Sequence, residues 1–301
     1  MIKADQITKK FGSFTALNEI TCSIPSGCIY GMVGSNGAGK STLLRLMTGV
    51  YLPESGKITI DDQPIYENSK TKNKIAYVPD ELFFLPASNM DRMAKLYSSV
   101  YENFDFKRYE NLTDSFKLNS KANLNTFSKG MRRQVATILA LSSKPKYLFF
   151  DETFDGLDPV MRNLVKSLIC KDVIERDATA IITSHSLREL EDTCDQLALL
   201  HNGGLIFESD IEDLKTSLFK IQIAFSDEYD KDKFTDLELV HFNKKGCVTN
   251  MIVRGDKEKT IKRLSAMSPL VLDVLNLSLE EVFTYEMEAL GYSFNELLEV
   301  E

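Results

Sequence analysis

Residues 34–42 read Gly-Ser-Asn-Gly-Ala-Gly-Lys-Ser-Thr, between an apolar run, Cys28 to Val33, and a helix-forming stretch, Ser41 to Met47. Strand, glycine-rich loop and helix in that order are the setting of a P-loop, and they predict an α/β fold of the P-loop NTPase type. Gly34, Gly37 and Gly39 allow positive φ, so main-chain N–H groups turn inward around phosphate oxygens, and the helix N-terminus adds its partial positive charge. Lys40 is expected to reach the β- and γ-phosphates and the Ser41 hydroxyl to coordinate Mg²⁺. Gly34, Ser35, Asn36, Gly37, Ala38, Gly39, Lys40, Ser41 and Thr42 are all candidate nucleotide ligands.

A second segment, Tyr147-Leu148-Phe149-Phe150-Asp151-Glu152, independently supports the first. Four consecutive apolar or aromatic residues suit a strand buried on both faces, and the carboxylates after it emerge where open α/β sheets place ligands. Asp151 is the expected Mg²⁺ ligand, and Glu152 the group that orients or deprotonates the attacking water. An Asp-Glu pair after a strand also serves as a plain helix cap, but the P-loop creates a need for both groups. The pair of segments implies binding and hydrolysis of a nucleoside triphosphate.

At 301 residues the chain buries a sizeable core and is expected to divide into one large and one small domain. A net charge of −8 argues against a general nucleic-acid partner. No stretch approaches the ~20 apolar residues that cross a bilayer, and the first residues lack a signal-peptide core, so the chain is expected in the cytoplasm. Cys22, Cys28, Cys170, Cys194 and Cys247 show no CxxC or metal-ligand spacing and read as reduced, mostly structural thiols.

Ile2 to Thr8, Leu17 to Ile24 and Lys57 to Ile60 read as strands of a β-rich subdomain set against the P-loop sheet. Further strands are expected at Asn73 to Pro79, Lys146 to Phe150 and Thr179 to Thr183, and a helix at Asp158 to Ile174. Asn202-Gly203-Gly204, between Gln196–His201 and Leu205–Glu208, signals a hairpin. From Pro86 to Asn125 the composition turns helix-forming, with apolar spacing at Met90, Met93, Leu96 and Tyr97. This reads as a helical insertion, and with the helix that follows it spans about 86–142. It leads into Phe127-Ser128-Lys129-Gly130-Met131, a Ser and Gly at a helix start, which suits an anion as well as a plain N-cap.

P-loop, serine-glycine helix start and aspartate-glutamate strand, in this order, resemble the ATP-binding subunits of ABC transporters over roughly residues 1–215. The family's usual signature is Leu-Ser-Gly-Gly-Gln; this chain keeps Ser128 and Gly130. Its Ser-Lys-Gly-Met variant is similar to those of bacterial exporter ATPases for drugs, peptides and lipids. The resemblance implies that Phe11 stacks on adenine, that Asp158 in Gly156-Leu157-Asp158 lies in the loop linking two subunits, and that His185 is a switch contacting the γ-phosphate. Where the family usually has glutamine, Tyr77-Val78-Pro79 is followed by Asp80, which still suits Mg²⁺ but adds negative charge.

The resemblance further implies a head-to-tail dimer, homo- or heterodimeric with a second ABC ATPase, holding two ATP and Mg²⁺. Ser128 and Gly130 of one subunit would complete the site of the other. It also implies a transmembrane permease partner and a peripheral place on the inner face of the cell membrane. Phe83, Phe84, Leu85, Met90 and Tyr97 are a candidate docking cleft, or the insertion's own core. Soluble relatives acting in DNA repair or translation carry long coiled coils or two cassettes, and no sustained heptads occur here. A nucleotide-dependent module without turnover is disfavoured by the retained Glu152 and His185.

Residues 216–301 read as a small α+β domain: strands at Phe219 to Phe225, Leu237 to Phe242, Cys247 to Val253 and Val271 to Leu275, with helices at Lys257 to Met267 and Ser278 to Leu290. No catalytic constellation is visible in it. Ser278-Leu279-Glu280-Glu281-Val282-Phe283 resembles the tail of exporter-type ABC ATPases and favours export over import.

Overall fold

The computed structural model describes residues 1–289 and 291, and it divides into two compact units, 1–208 and 209–301. The boundary expected at 215 falls inside a helix, Ile211–Ser217.

The first unit begins with β1 (Ile2–Phe11), β2 (Phe14–Ile24), β3 (Ile29–Val33) and α1 (Lys40–Met47), then β4 (Ser55–Ile60), β5 (Gln63–Pro64), α2 (Ser69–Lys72) and β6 (Ile75–Val78). Three helices follow, α3 (Met90–Val100), α4 (Phe106–Ser115) and α5 (Lys129–Ser142), and then β7 (Tyr147–Asp151), α6 (Pro159–Arg176), β8 (Thr179–Ser184), α7 (Leu187–Glu191), β9 (Gln196–His201) and β10 (Gly204–Asp210).

The strands form two sheets. One has the order β2-β1-β4-β5 and pairs antiparallel throughout, as the β-rich reading anticipated. The other has the order β10-β9-β3-β8-β7-β6, in which the run β9-β3-β8-β7-β6 pairs parallel. Ile2, Ile7 and Ile20 of the first sheet share one apolar cluster with Tyr30, Met32 and Phe149 of the second and Leu43 and Met47 of α1, so the P-loop helix is held between them. Tyr147, Leu148, Phe149 and Phe150 are fully buried. Each large apolar side chain so covered contributes about 1.5–3 kcal/mol, which favours β7 as a central strand.

The helical insertion consists of α3 and α4 packed on α5. Each helix has a side-chain N-cap: Asn89, Asp105 and Ser128 accept main-chain N–H bonds from Arg92, Arg108 and Met131. Asn202 and Gly203, at φ 48° and 75°, turn β9 into β10, as both central residues of a type I′ turn require.

The second unit contains α8 (Ile211–Ser217), β11 (Leu218–Ala224), β12 (Glu238–Lys245), β13 (Val248–Arg254), α9 (Lys257–Ser265), β14 (Val271–Leu275) and α10 (Leu279–Ala289). Its sheet, β12-β13-β11-β14, is antiparallel, and its core gathers Phe219, Ile221, Ile223, Phe234, Met251 and Leu264. Arg254 grips Glu286 of α10 with two 2.8 Å bonds, the bidentate geometry favoured by guanidinium and carboxylate. Leu290, where the sequence reading ended the last helix, lies outside the described residues. None of the five cysteines forms a disulfide. No helix among the described residues is long and apolar enough to cross a membrane.

Candidate nucleotide site

The P-loop leaves β3 in mid-sheet, flanked by β8 and β9. Its glycines are needed for contact as well as for backbone angle. A Cβ on Gly34 would lie 2.3 Å from the Leu200 carbonyl, and one on Gly39, at φ 105°, would lie 2.6 Å from Leu17 and 3.0 Å from the Ala16 carbonyl. Gly37 has φ 80° with open space above it. Gly203 closes the loop from behind: its N–H donates to the Ala38 carbonyl at 3.1 Å and its carbonyl accepts from Asn18 N–H at 2.8 Å. Lys40 is buried, and its Nζ donates to the Gly34 and Ser35 carbonyls at 2.6 and 3.1 Å.

Asp151, at the end of β7, is wholly buried. A buried carboxylate is costly unless hydrogen-bonded, and three hydroxyls satisfy this one. Ser41 and Thr183 donate to Oδ1 at 2.9 and 2.8 Å, and Tyr77 donates to Oδ2 at 3.1 Å. Burial, and then the Asp151 charge, push the Tyr77 hydroxyl well above its ordinary range, which keeps it a donor. Thr183 also accepts from the Glu152 N–H at 3.0 Å.

Glu152 has a left-handed backbone, φ 46°, an uncommon conformation for a residue with a side chain. Its carboxylate lies between the Lys40 ammonium, 3.4 Å from Oε1, and His185 Nδ1, 3.7 Å from Oε2. His185 is half exposed, and Asp155 Oδ2 stands 3.9 Å from the same ring nitrogen.

A cleft of about 350 Å³ joins these parts, running from the aromatic pair Phe11 and Phe14 along the P-loop to Asp80 and Glu152. Phe11 and Phe14 are cross-strand partners around a turn at Gly12, and both rings are exposed. Glycines that keep the cradle open, a buried ammonium and exposed rings match a nucleoside triphosphate. The Ser41 hydroxyl and Asp151 carboxylate are the hard oxygen donors that Mg²⁺ prefers.

Gly34, Ser35, Asp151 and His185 lie behind or beside the cleft lining, Asp151 bonded to Ser41 and His185 next to Glu152, whereas Ser128, Gly130 and Asp158 neither line it nor bond to the residues that do. Ser128 caps α5, its Oγ accepting from Met131 N–H at 3.2 Å, and Asp158 caps α6, accepting from Val160 and Met161 at 3.0 Å. Gly130 passes Gly156 so closely that a Cβ would lie 2.7 Å from its carbonyl. Asp80, expected beside Ser41 and Asp151 as a metal ligand, has Oδ1 taken by the guanidinium of Arg133. The sequence reading missed Phe14, Tyr77, Thr183, Asp155 and Arg133 as members of the site. Phe14, three places after Phe11 across a glycine turn, carried a readable hairpin signal.

The ABC transporter domain family matches residues 17–155. The linearmycin resistance ATP-binding protein LnrL of Bacillus subtilis is 33% identical over 213 residues, which cover 68% of this chain and 68% of LnrL. This chain belongs to the ABC transporter ATP-binding family. The cassette is an ATPase, and ATP is what its P-loop binds. The ABC transporter ATP-binding protein YtrB of Bacillus subtilis is 28% identical over 283 residues, 94% of this chain and 97% of YtrB, so that likeness extends into the second unit. Among solved structures, a dimeric ATP-binding cassette in a post-hydrolysis state, bound to ADP and Pi, superposes with a TM-score of 0.64 at 21% identity, covering 70% of this chain and 99% of the other. That likeness shows that the two share the ABC ATPase fold.

Proposed function

We propose that this cassette is the energy-supplying subunit of an exporter, working as a head-to-tail dimer beneath a transmembrane permease. The carrying observation is that side-chain contacts link Ser41 to Asp151 and Lys40 and His185 to Glu152 at one end of the six-stranded sheet, while Ser128, Gly130 and Asp158 belong neither to those contacts nor to the cleft lining. A second copy, or a different ABC ATPase, bringing its own Ser128 and Gly130 would complete each site.

In this reading the exposed Phe11 and Phe14 rings stack on adenine, a role open to any base with a π face. The P-loop N–H groups and Lys40 hold the phosphates. Ser41 and Asp151 would hold Mg²⁺, which when bound would supply positive charge to offset that developing on the phosphates. Glu152 accepts a proton from the attacking water, and His185 fixes the γ-phosphate end.

Phe83 is 79% exposed, and it offers an apolar contact for the permease; Met90 is fully buried and belongs to the insertion's core. Assembly on the cytoplasmic face of the cell membrane follows from that docking. The resistance function in LnrL's name supports export of a drug-like, peptide or lipid substrate. Affinity capture of the Glu152→Gln variant with ATP from detergent-solubilised native membranes tests the reading. Stoichiometric recovery of an integral membrane protein supports it, and recovery with ribosomes or DNA-associated proteins overturns it.

A further inference from the structure

Arg133, on the second turn of α5, is 1% exposed, and it is the largest fully buried side chain among the described residues. One terminal nitrogen donates to the main-chain carbonyl of Glu152 and the other pairs with Asp80 Oδ1. Its Nε is buried with no hydrogen-bond partner. Burying a guanidinium is costly before compensation, and an N–H left unpaired adds to that cost. Asp80 is 44% exposed on its side, so water weakens what the ion pair returns. Stability alone therefore accounts poorly for an arginine here.

What the arginine touches gives it a use. Glu152 holds a left-handed backbone just after β7, and the carbonyl that Arg133 holds belongs to that same residue. Asp80 begins the segment leading into the helical insertion, and Arg132, the preceding residue, holds the same segment by donating to the Leu82 carbonyl at 3.1 Å and lying over the Phe84 ring at 5.6 Å. The start of α5 thus grips loop 80–84 with two consecutive arginines, one of which reaches on to Glu152.

We propose that Arg133 is a positioning residue for ATP hydrolysis: by holding the Glu152 carbonyl and the Asp80 carboxylate on one guanidinium, it fixes the backbone that aims the Glu152 side chain and ties that aim to the position of loop 80–84. The inference rests on the role given to Glu152 above. It gives Asp80, the residue that departs from the family's usual glutamine, a partner of matching charge. Arg133 and Asp80 act as a pair, and Asp80 acts through the arginine.

The test compares Arg133→Met, Arg133→Lys, Asp80→Asn and the double variant Arg133→Met/Asp80→Asn with the unmodified chain. It measures steady-state kcat and KM for MgATP, equilibrium binding of a fluorescent ATP analogue, and Tm. Misplacement of a reacting group by about 1 Å costs on the order of 10²-fold, so Arg133→Met should lower kcat about 10- to 100-fold while binding changes less than about threefold. Asp80→Asn should lower kcat about three- to tenfold, and the double variant should be no slower than Arg133→Met, because coupled residues give non-additive losses. Arg133→Lys, which keeps the charge but not both contacts, should fall between.

A kcat within about twofold of the unmodified chain for Arg133→Met, a matching loss of ATP binding, or multiplicative losses in the double variant would each overturn the proposal. Should Arg133→Met fail to fold, Asp80→Asn at the exposed end and Arg133→Lys decide it by the same split between kcat and binding. Glu152→Gln is run alongside. If it retains turnover, the role of Glu152 and this inference fall together; if it stops turnover while Arg133→Met does not, this inference alone falls.

Discussion

The Ser41 hydroxyl donates to Asp151 Oδ1 over 2.9 Å, joining residues 110 positions apart. That bond ties the first turn of α1 to the end of β7, so the phosphate loop and the acidic strand end are held as one piece.

Removing the acceptor from this junction leaves three donors without their partner. Asp151→Ala should destabilise the fold by about 1–3 kcal/mol and abolish turnover, and Asp151→Asn, which retains an oxygen, should destabilise it less. Urea denaturation with both variants measures the difference. Equal stability of Asp151→Ala and the unmodified chain would show that the hydroxyls find other partners.

Lys40 and Glu152 lie 3.4 Å apart but are expected to fail differently when altered. Lys40→Ala should lose ATP affinity about 10²-fold or more, because a buried charge on the phosphates is lost. Glu152→Gln keeps the shape and the P-loop, so it should bind ATP and lose about 10²-fold or more in kcat. Equilibrium binding beside steady-state turnover separates the two, and near-normal turnover of Glu152→Gln removes Glu152 from the role of base.

Phe83 provides a test of the proposed permease contact that the folded core does not confound. With its ring 79% exposed, Phe83→Asp should change stability by no more than about 0.5 kcal/mol, the usual range for surface substitutions. ATP binding should persist while recovery of a membrane partner is lost. Unfolding of the variant would instead assign Phe83 to the core.

Asp61 carries an acid-stability prediction. Burial alone raises its pKa, but hydrogen bonds from Lys74 at 2.8 Å, Tyr147 at 2.6 Å and Lys146 at 2.9 Å more than reverse that and hold the carboxyl far below the ordinary carboxylate range. A carboxyl whose pKa is depressed by folding stabilises the native state above its unfolded pKa, about 3.9, and loses that contribution as pH falls through the folded value. The unmodified chain should therefore exceed Asp61→Asn in Tm at pH 7, with the gap narrowing steadily below about pH 4. A gap that does not change between pH 7 and pH 3 would remove the titration from the explanation.

The P-loop and the Asp151-Glu152 strand end were legible because each is a run of adjacent residues whose chemistry depends on local order. Tyr77 and Thr183 were not, because strand register brings them to Asp151: Tyr77 pairs with Phe149 across β6 and β7, and Thr183 stands opposite Asp151 itself across β7 and β8. No spacing in the chain encodes that neighbourhood. Arg133 was hidden by its type, since a charged residue early in a helix is ordinarily solvated and this one is buried. The first two strands run further than expected, to Phe11 and from Phe14, because they continue past their buried stretch to a turn whose sides are exposed and show no alternating pattern. Helices α5 and α6 match their expected spans closely, since Ser128 and Asp158 are textually clear caps and cap geometrically as well.

Gly203 sits on the far hairpin, yet a Cβ there would lie 2.7 Å from the Ala16 carbonyl, and its own main chain bonds Ala38 and Asn18. The phosphate cradle thus has a remote keystone. A single methyl group added more than a hundred residues downstream of the cradle would press β2 and the P-loop apart, so a lesion mapped to the hairpin would present in the laboratory as a defect in nucleotide binding.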